Sequence, residues 1–180
     1  MEEIFENKTR YSQKEYDVFL KEYKKEYASS EYASMIFYIL FFGLCMIFAF
    51  KEKETVLGIV LLIGLVIYIW YRLIRPVIRT EKDRKSPKLS GNFINTYKFY
   101  KNYFNVENPE GKAQIFYFKL YRVVETNQYI YIYISRENAF IVSKNGFTNG
   151  NPREFSKFIK KKVLFKYKNR IKTNNKTPNY

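Results

Sequence analysis

The chain of 180 residues contains no histidine and one cysteine. The missing imidazole removes the side chain that most often acts as general base and metal ligand near neutral pH. Cys45 alone cannot close an intramolecular disulfide, so no disulfide framework exists. It also lies inside an apolar run. A zinc site would therefore rest on carboxylates and one buried thiol, which the usual ligand sets do not use. No cofactor and no metal is expected. Acids after the apolar region are few, and Glu107, Glu110, Glu125 and Glu154 stand apart in the sequence. General acid–base catalysis needs positioned groups, and nothing here pairs two of them. The chain is expected not to be an enzyme.

Charge is also absent from two long stretches. Ala33–Phe50 and Thr55–Tyr71 are apolar runs flanking Lys51-Glu52-Lys53-Glu54. At about 1.5 Å per helical residue, each run nearly spans a bilayer core of roughly 30 Å. A single long helix would place the four charges at mid-bilayer, at about 2.5–3.5 kcal/mol each. A tight loop at the far surface avoids that cost, so the stretch reads as a two-helix membrane hairpin over 32–72. Neither run has a charge to carry a transport pathway. Cys45 and Ala49 form only a weak small-residue pair, so a homo-oligomer is an open expectation.

Lysine and arginine set the orientation. Arg72, Arg75, Arg79, Lys82, Arg84, Lys85 and Lys88 follow the second run, against Lys51 and Lys53 in the loop. Positive-inside bias predicts both termini in the cytoplasm, with Trp70 and Tyr71 as the aromatic belt. The net charge of +15 lies almost wholly after residue 71, since residues 1–32 carry more acid than base. Two accounts of that excess stand: a selected basic face, or drift in an AT-rich genome. A selected face would meet anionic inner-leaflet lipid, and Arg72, Arg75, Arg79, Lys82, Arg84 and Lys85 are the candidate headgroup contacts. Nucleic acid is the other anionic partner.

In chain order, residues 1–31 form a cytoplasmic lead. Ile4, Phe5 and Tyr11 suit a short strand or an irregular segment. Ser12-Gln13-Lys14-Glu15 has capping-box spacing. Tyr16, Phe19, Leu20, Tyr23 and Tyr27 follow at helical spacing, giving an amphipathic helix that either lies on the lipid surface or, the favoured reading, packs on the later domain. Residues 73–91 form a basic juxtamembrane connector, with a kink or break at Pro76. From residue 92 the pattern turns to strands: Phe93–Tyr100, Tyr103–Val106, Gln114–Phe118, Tyr121–Glu125, Tyr129–Ile134 and Ala139–Val142. Asn108-Pro109-Glu110-Gly111 is a turn. Strict alternation in Tyr129–Ile134 predicts isoleucines on one sheet face and tyrosines on the other. Asn151-Pro152-Arg153-Glu154 starts a helix whose apolar face is Phe155, Phe158, Ile159 and Val163. The basic, Asn-rich tail 164–180 is expected to be largely disordered. The predicted fold class is thus a membrane α-helical hairpin plus a small α+β cytoplasmic domain over 92–163. That domain is mainly antiparallel β with a C-terminal helix.

This layout resembles the YcxB-like proteins of Gram-positive bacteria. The residues that carry the resemblance are Phe116–Leu120, Tyr121-Arg122-Val123-Val124-Glu125-Thr126, Tyr129–Ile134, Ala139–Lys144 and Phe147. Ser143 stands where the family usually has proline. The resemblance implies a PH-like domain and marks Tyr121, Glu125, Thr126, Lys144 and Phe147 as motif positions. It names no reaction. Glu125 and Thr126 read either as a ligand contact or as a cap at a strand end.

The functional expectation is a non-enzymatic membrane protein whose cytoplasmic domain binds a protein partner or anionic lipid at the inner leaflet. By analogy with related proteins, bacteriocin immunity or envelope stress is a plausible setting. The alternative is a membrane-tethered nucleic-acid binder that uses its basic tail and stacks bases on its Tyr-rich sheet. It lacks a Lys-Gly-Phe-Gly-Phe type signature.

Overall fold

Phe5, Asn7 and Thr9 alternate with Glu6, Lys8 and Arg10, and a period of two makes a strand. In the computed structural model, which describes residues 2–86 and 89–171, this is β1, Phe5–Ser12. Phe5, Asn7 and Thr9 are buried. The chain divides into two compact units, Met1–Phe19 with Lys88–Tyr180, and Leu20–Pro87. The boundaries expected from the sequence shift accordingly. The lead of residues 1–31 is not separate from the later strands, because β1 is one of their sheet partners.

In the strand-rich unit, β2 (Ser90–Phe99), β3 (Tyr103–Asn108) and β4 (Gly111–Phe116) follow as antiparallel neighbours. Next come β5 (Arg122–Glu125), β6 (Tyr129–Tyr133), β7 (Ala139–Ser143) and β8 (Phe147–Asn149). Helix α3 (Pro152–Val163) and β9 (Tyr167–Asn169) complete it. The first sheet has the order β4-β3-β2-β1-β8 and the second β7-β6-β5-β9. Only the β5–β9 pair is parallel among the described strands.

Both sheets and α3 share one core. Phe5, Tyr97, Phe99 and Phe104 come from the first sheet, Val123, Ile130, Ile132 and Val142 from the second, and Phe155, Ile159 and Val163 from α3. Aromatic rings join the layers. Phe155 lies 4.4 Å from Phe99 and 5.5 Å from Phe5, centroid to centroid. Phe140 meets Phe104 edge-on at 5.9 Å, a favoured geometry for paired rings. Polar groups tie the sheets as well. The Asn7 amide donates to the Ser143 carbonyl (2.8 Å), and the Ser143 N–H donates to Thr9 Oγ1 (2.9 Å). Thr9 in turn donates to Asn7 Oδ1 (2.7 Å). Asn7, Thr9 and the Ser143 backbone thus satisfy one another.

Helix α3 begins as its sequence predicts. Asn151 accepts from the Arg153 N–H (2.8 Å), and Pro152 opens the helix. The Asn108 side chain closes the β3–β4 turn by accepting from Glu110 and Gly111 N–H groups (3.0 and 3.1 Å). The β6 alternation holds: Ile130 and Ile132 enter the core, and Tyr129, Tyr131 and Tyr133, on the other face, are buried as well. Phe19 of helix α1 (Gln13–Lys51) lies over Tyr131 and Tyr133, at 5.7 and 6.1 Å. The capping box forms by half. The Ser12 N–H donates to the Glu15 carboxylate (3.2 Å), but the Ser12 hydroxyl donates to that carboxylate instead of accepting from the backbone. The tail is ordered further than expected. Leu164–Lys166 forms a 3-10 turn and β9 pairs with β5; residues 172–180 lie outside the described residues.

The second unit contains most of α1, and α2 (Thr55–Arg84). Tyr32–Lys51 and Thr55–Ile74 are long and apolar enough to cross a membrane, with mean hydropathy 2.4 and 2.3, and only 6% of each is buried. Glu52, Lys53 and Glu54 make the turn, with Lys53 left-handed at φ 62°. Across the pair, Tyr38 meets Tyr68 at 5.4 Å and the Arg72 guanidinium donates to Ser34 Oγ (3.3 Å). Gly58 leaves room for Phe50, whose ring would lie 2.7 Å from an added Cβ. Of the kink or break expected at Pro76, the break does not occur; α2 remains helical to Arg84. A long helix tolerates the one hydrogen bond that proline removes.

Gly150, between β8 and α3, has φ +84°, and a Cβ there would lie 2.3 Å from the Phe5 ring. Gly150→Ala is expected to destabilise the strand-rich unit by about 2–4 kcal/mol, combining left-handed strain with overpacking. Thermal unfolding followed by near-UV circular dichroism in mild detergent checks this. An unchanged melting temperature would contradict the close approach.

Candidate functional site

Glu125 ends β5 and is 5% exposed. A carboxylate removed from water must find donors. Three side chains from distant parts of the sequence supply them. Lys144, first residue of the turn after β7, donates its ammonium to Oε1. Ser156 of α3 donates to the same oxygen at 2.8 Å. The Tyr167 hydroxyl of β9 donates to Oε2. The Glu125 carbonyl also accepts from the Arg170 N–H (2.7 Å). Burial pushes the Glu125 carboxyl up, but the bonds from Lys144, Tyr167 and Ser156 outweigh it and hold the group below the ordinary glutamate range. Burial, then the Glu125 charge, pushes the Tyr167 hydroxyl up, so it stays a donor. The result is an ionised, saturated acceptor. Its donors come from the protein itself, which favours the strand-end reading of Glu125 over a ligand contact.

The other motif positions have separate duties. Thr126 Oγ1 accepts from the Tyr129 N–H (3.1 Å), and the Thr126 N–H donates to the Tyr129 carbonyl (2.9 Å), closing the β5–β6 turn. Phe147 packs on Phe155 at 5.1 Å. Tyr121 is exposed, with Arg122 5.9 Å from its ring centre. The structure thus brings Glu125 and Lys144 together and leaves Tyr121 apart. Ser156 and Tyr167 carried no sequence signal, because neither lies at a recognisable spacing from Glu125.

Of the basic connector, Arg72 bonds to Ser34, and Lys82, Arg84 and Lys85 are exposed at the end of α2. Positions 72, 75, 79 and 82 recur every three or four residues, one face of a helix. The side chains of Arg75 and Arg79 lie outside the described residues. Among the described residues, no group of three or more His, Cys, Asp or Glu could hold a metal ion. A shallow depression by Asn108, Lys112 and Phe140 contains one carboxylate, Glu110. The buried tyrosines of β6 offer no open platform for bases.

Glu125→Ala is expected to cost about 3 kcal/mol, as breaking a buried pair does. The folded value lies below the ordinary 4.5, so the network's stabilisation is present above about that pH and is lost as pH falls through the lowered value. Urea unfolding between pH 7 and 3 should show this decline, and Glu125→Gln should flatten it. Equal slopes in both proteins would rule out an ionised Glu125.

No curated protein and no solved structure matches the chain. Glu125, Lys144 and Ser156 lie inside a stretch that does match a family, whereas β1 and Tyr167 lie outside it. The resemblance carried by the motif residues holds there: residues 99–159 match the family model described as YcxB-like protein.

Proposed function

We propose that the chain is an integral membrane protein that holds a PH-like domain at the cytoplasmic face of a bacterial membrane. There the domain binds a protein partner or anionic lipid without catalysis of its own. One observation carries the reading: β1 precedes the two apolar helices, β2 follows them, and the two strands pair along their length from Phe5↔Phe99 to Tyr11↔Phe93. Strands in one sheet must lie on one side of a bilayer. The segment between them therefore crosses an even number of times, and two spans of 20 residues meet that requirement. Arginine and lysine after the second span orient the sheet inward. The neutral turn Lys51–Glu54 leaves little on the other side. Two sheets around one core, with a C-terminal helix against it, support the PH-like reading. Glu125 is already saturated by lysine, serine and tyrosine, which supports binding over chemistry.

The topology is testable with single cysteines on a Cys45→Ala background. Glu52→Cys in the turn should react with a membrane-impermeant maleimide in intact cells. Thr148→Cys on β8 should react only after lysis. Labelling of both from outside would overturn the orientation, and release of the protein by alkaline carbonate would overturn the anchor.

A further inference from the structure

Two turns of the strand-rich unit lie side by side. The Lys166 ammonium donates to the Phe118 carbonyl (3.1 Å) and the Leu120 carbonyl (2.7 Å), tying the turn after β4 to the turn after α3. What these turns present is unusual for a soluble surface. Phe165 is fully exposed, Phe118 is 71% exposed and Leu164 is 66% exposed. Leu164 has φ 43° and ψ −113°, a conformation that leucine rarely adopts. Strain of this kind persists where the surroundings impose it, and it gathers at functional positions. Lysines surround the apolar tip. Lys119 lies 5.9 Å from the Phe118 ring centre, and Lys162 lies 5.5 Å from that of Phe158. Residues 111–124 and residues 155–171 contain no acid.

We infer that this tip is a lipid-docking element, inserting Phe118, Leu164 and Phe165 into an anionic bilayer while Lys119 and Lys162 meet the headgroups. The inference rests on the membrane reading above and assigns a lipid contact to residues other than the connector arginines. Exposed aromatics ringed by amines match the chemistry of an interface, where apolar groups sink to the acyl boundary and cations meet anionic lipid. A single-signed surface has no acids to repel that lipid. The same anionic bilayer is the surface nearest to any chain anchored by two spans.

The test uses the full chain in vesicles, with Cys45→Ala and a spin label at Phe165→Cys or, in a second protein, at Phe118→Cys. Accessibility to oxygen and to a water-soluble nickel chelate is compared in phosphatidylcholine alone and with phosphatidylglycerol added. Docking predicts an oxygen-accessible label and a several-fold drop in nickel accessibility when phosphatidylglycerol is present. Lys119→Ala should lower the docked-to-free ratio about fivefold, from roughly 1 kcal/mol per surface cation. A label equally open to nickel in both lipids would overturn the tip. So would a label immobilised equally in both and released on dilution, which would point to a second copy of the chain. A label at Ile63→Cys, inside the second span, separates the two readings. If it is shielded while position 165 is not, only the tip fails; if it too is open to nickel, the membrane reading fails.

Discussion

A charge without water must be matched by its neighbours, and in this chain that demand gathers at Glu125. Its partners lie 19, 31 and 42 residues away in sequence. Meeting the demand draws the turn after β7, the first turns of α3 and the strand β9 onto the end of β5. The parallel β5–β9 pair is a consequence. Three residues such as Tyr167-Lys168-Asn169 have little strand propensity of their own. They gain their place because the Tyr167 hydroxyl reaches the carboxylate and the Arg170 N–H reaches the Glu125 carbonyl. One buried oxygen pair therefore orders a segment that composition alone marks as tail.

A second polar link acts beside it, at Ser143, the residue before Lys144. Asn7, Thr9 and the Ser143 backbone satisfy one another inside the protein, where a missing partner would leave buried groups unpaired. Gly146 belongs to this arrangement. A Cβ there would lie 2.4 Å from the Lys8 carbonyl oxygen, so the turn after β7 can sit against β1 only with glycine at that position. The core mixes aromatic rings with aliphatic side chains, and its rings touch two sheets and a helix at once.

These links explain what could be read in advance. The apolar helices, the Asn151–Pro152 helix start and the Asn108 turn were legible because their signals are local and strong. β1 was hard to read because two of its three buried positions, Asn7 and Thr9, are polar; only the folded corner makes them inward-facing. The tyrosines of β6 follow the expected alternation, yet alternation cannot say that Phe19 of a helix far earlier in the chain covers the second face. Glu125 stood out as a motif position, and Lys144 with it. Ser156 and Tyr167 did not, since a hydrogen bond across 31 or 42 residues leaves no periodic trace.

The pairing of β1 with β2 and β8 also sets an order of assembly. Every neighbour of β1 in the sheet is synthesised after the two apolar helices. At roughly 5–20 residues per second, β1 waits on the order of ten seconds with its edges unpaired. Its exposed Lys8 and Arg10, and the acidic residues just before it, discourage pairing with another chain during that interval. The sheet cannot close until both apolar helices have been synthesised, so its completion waits on everything between β1 and β2.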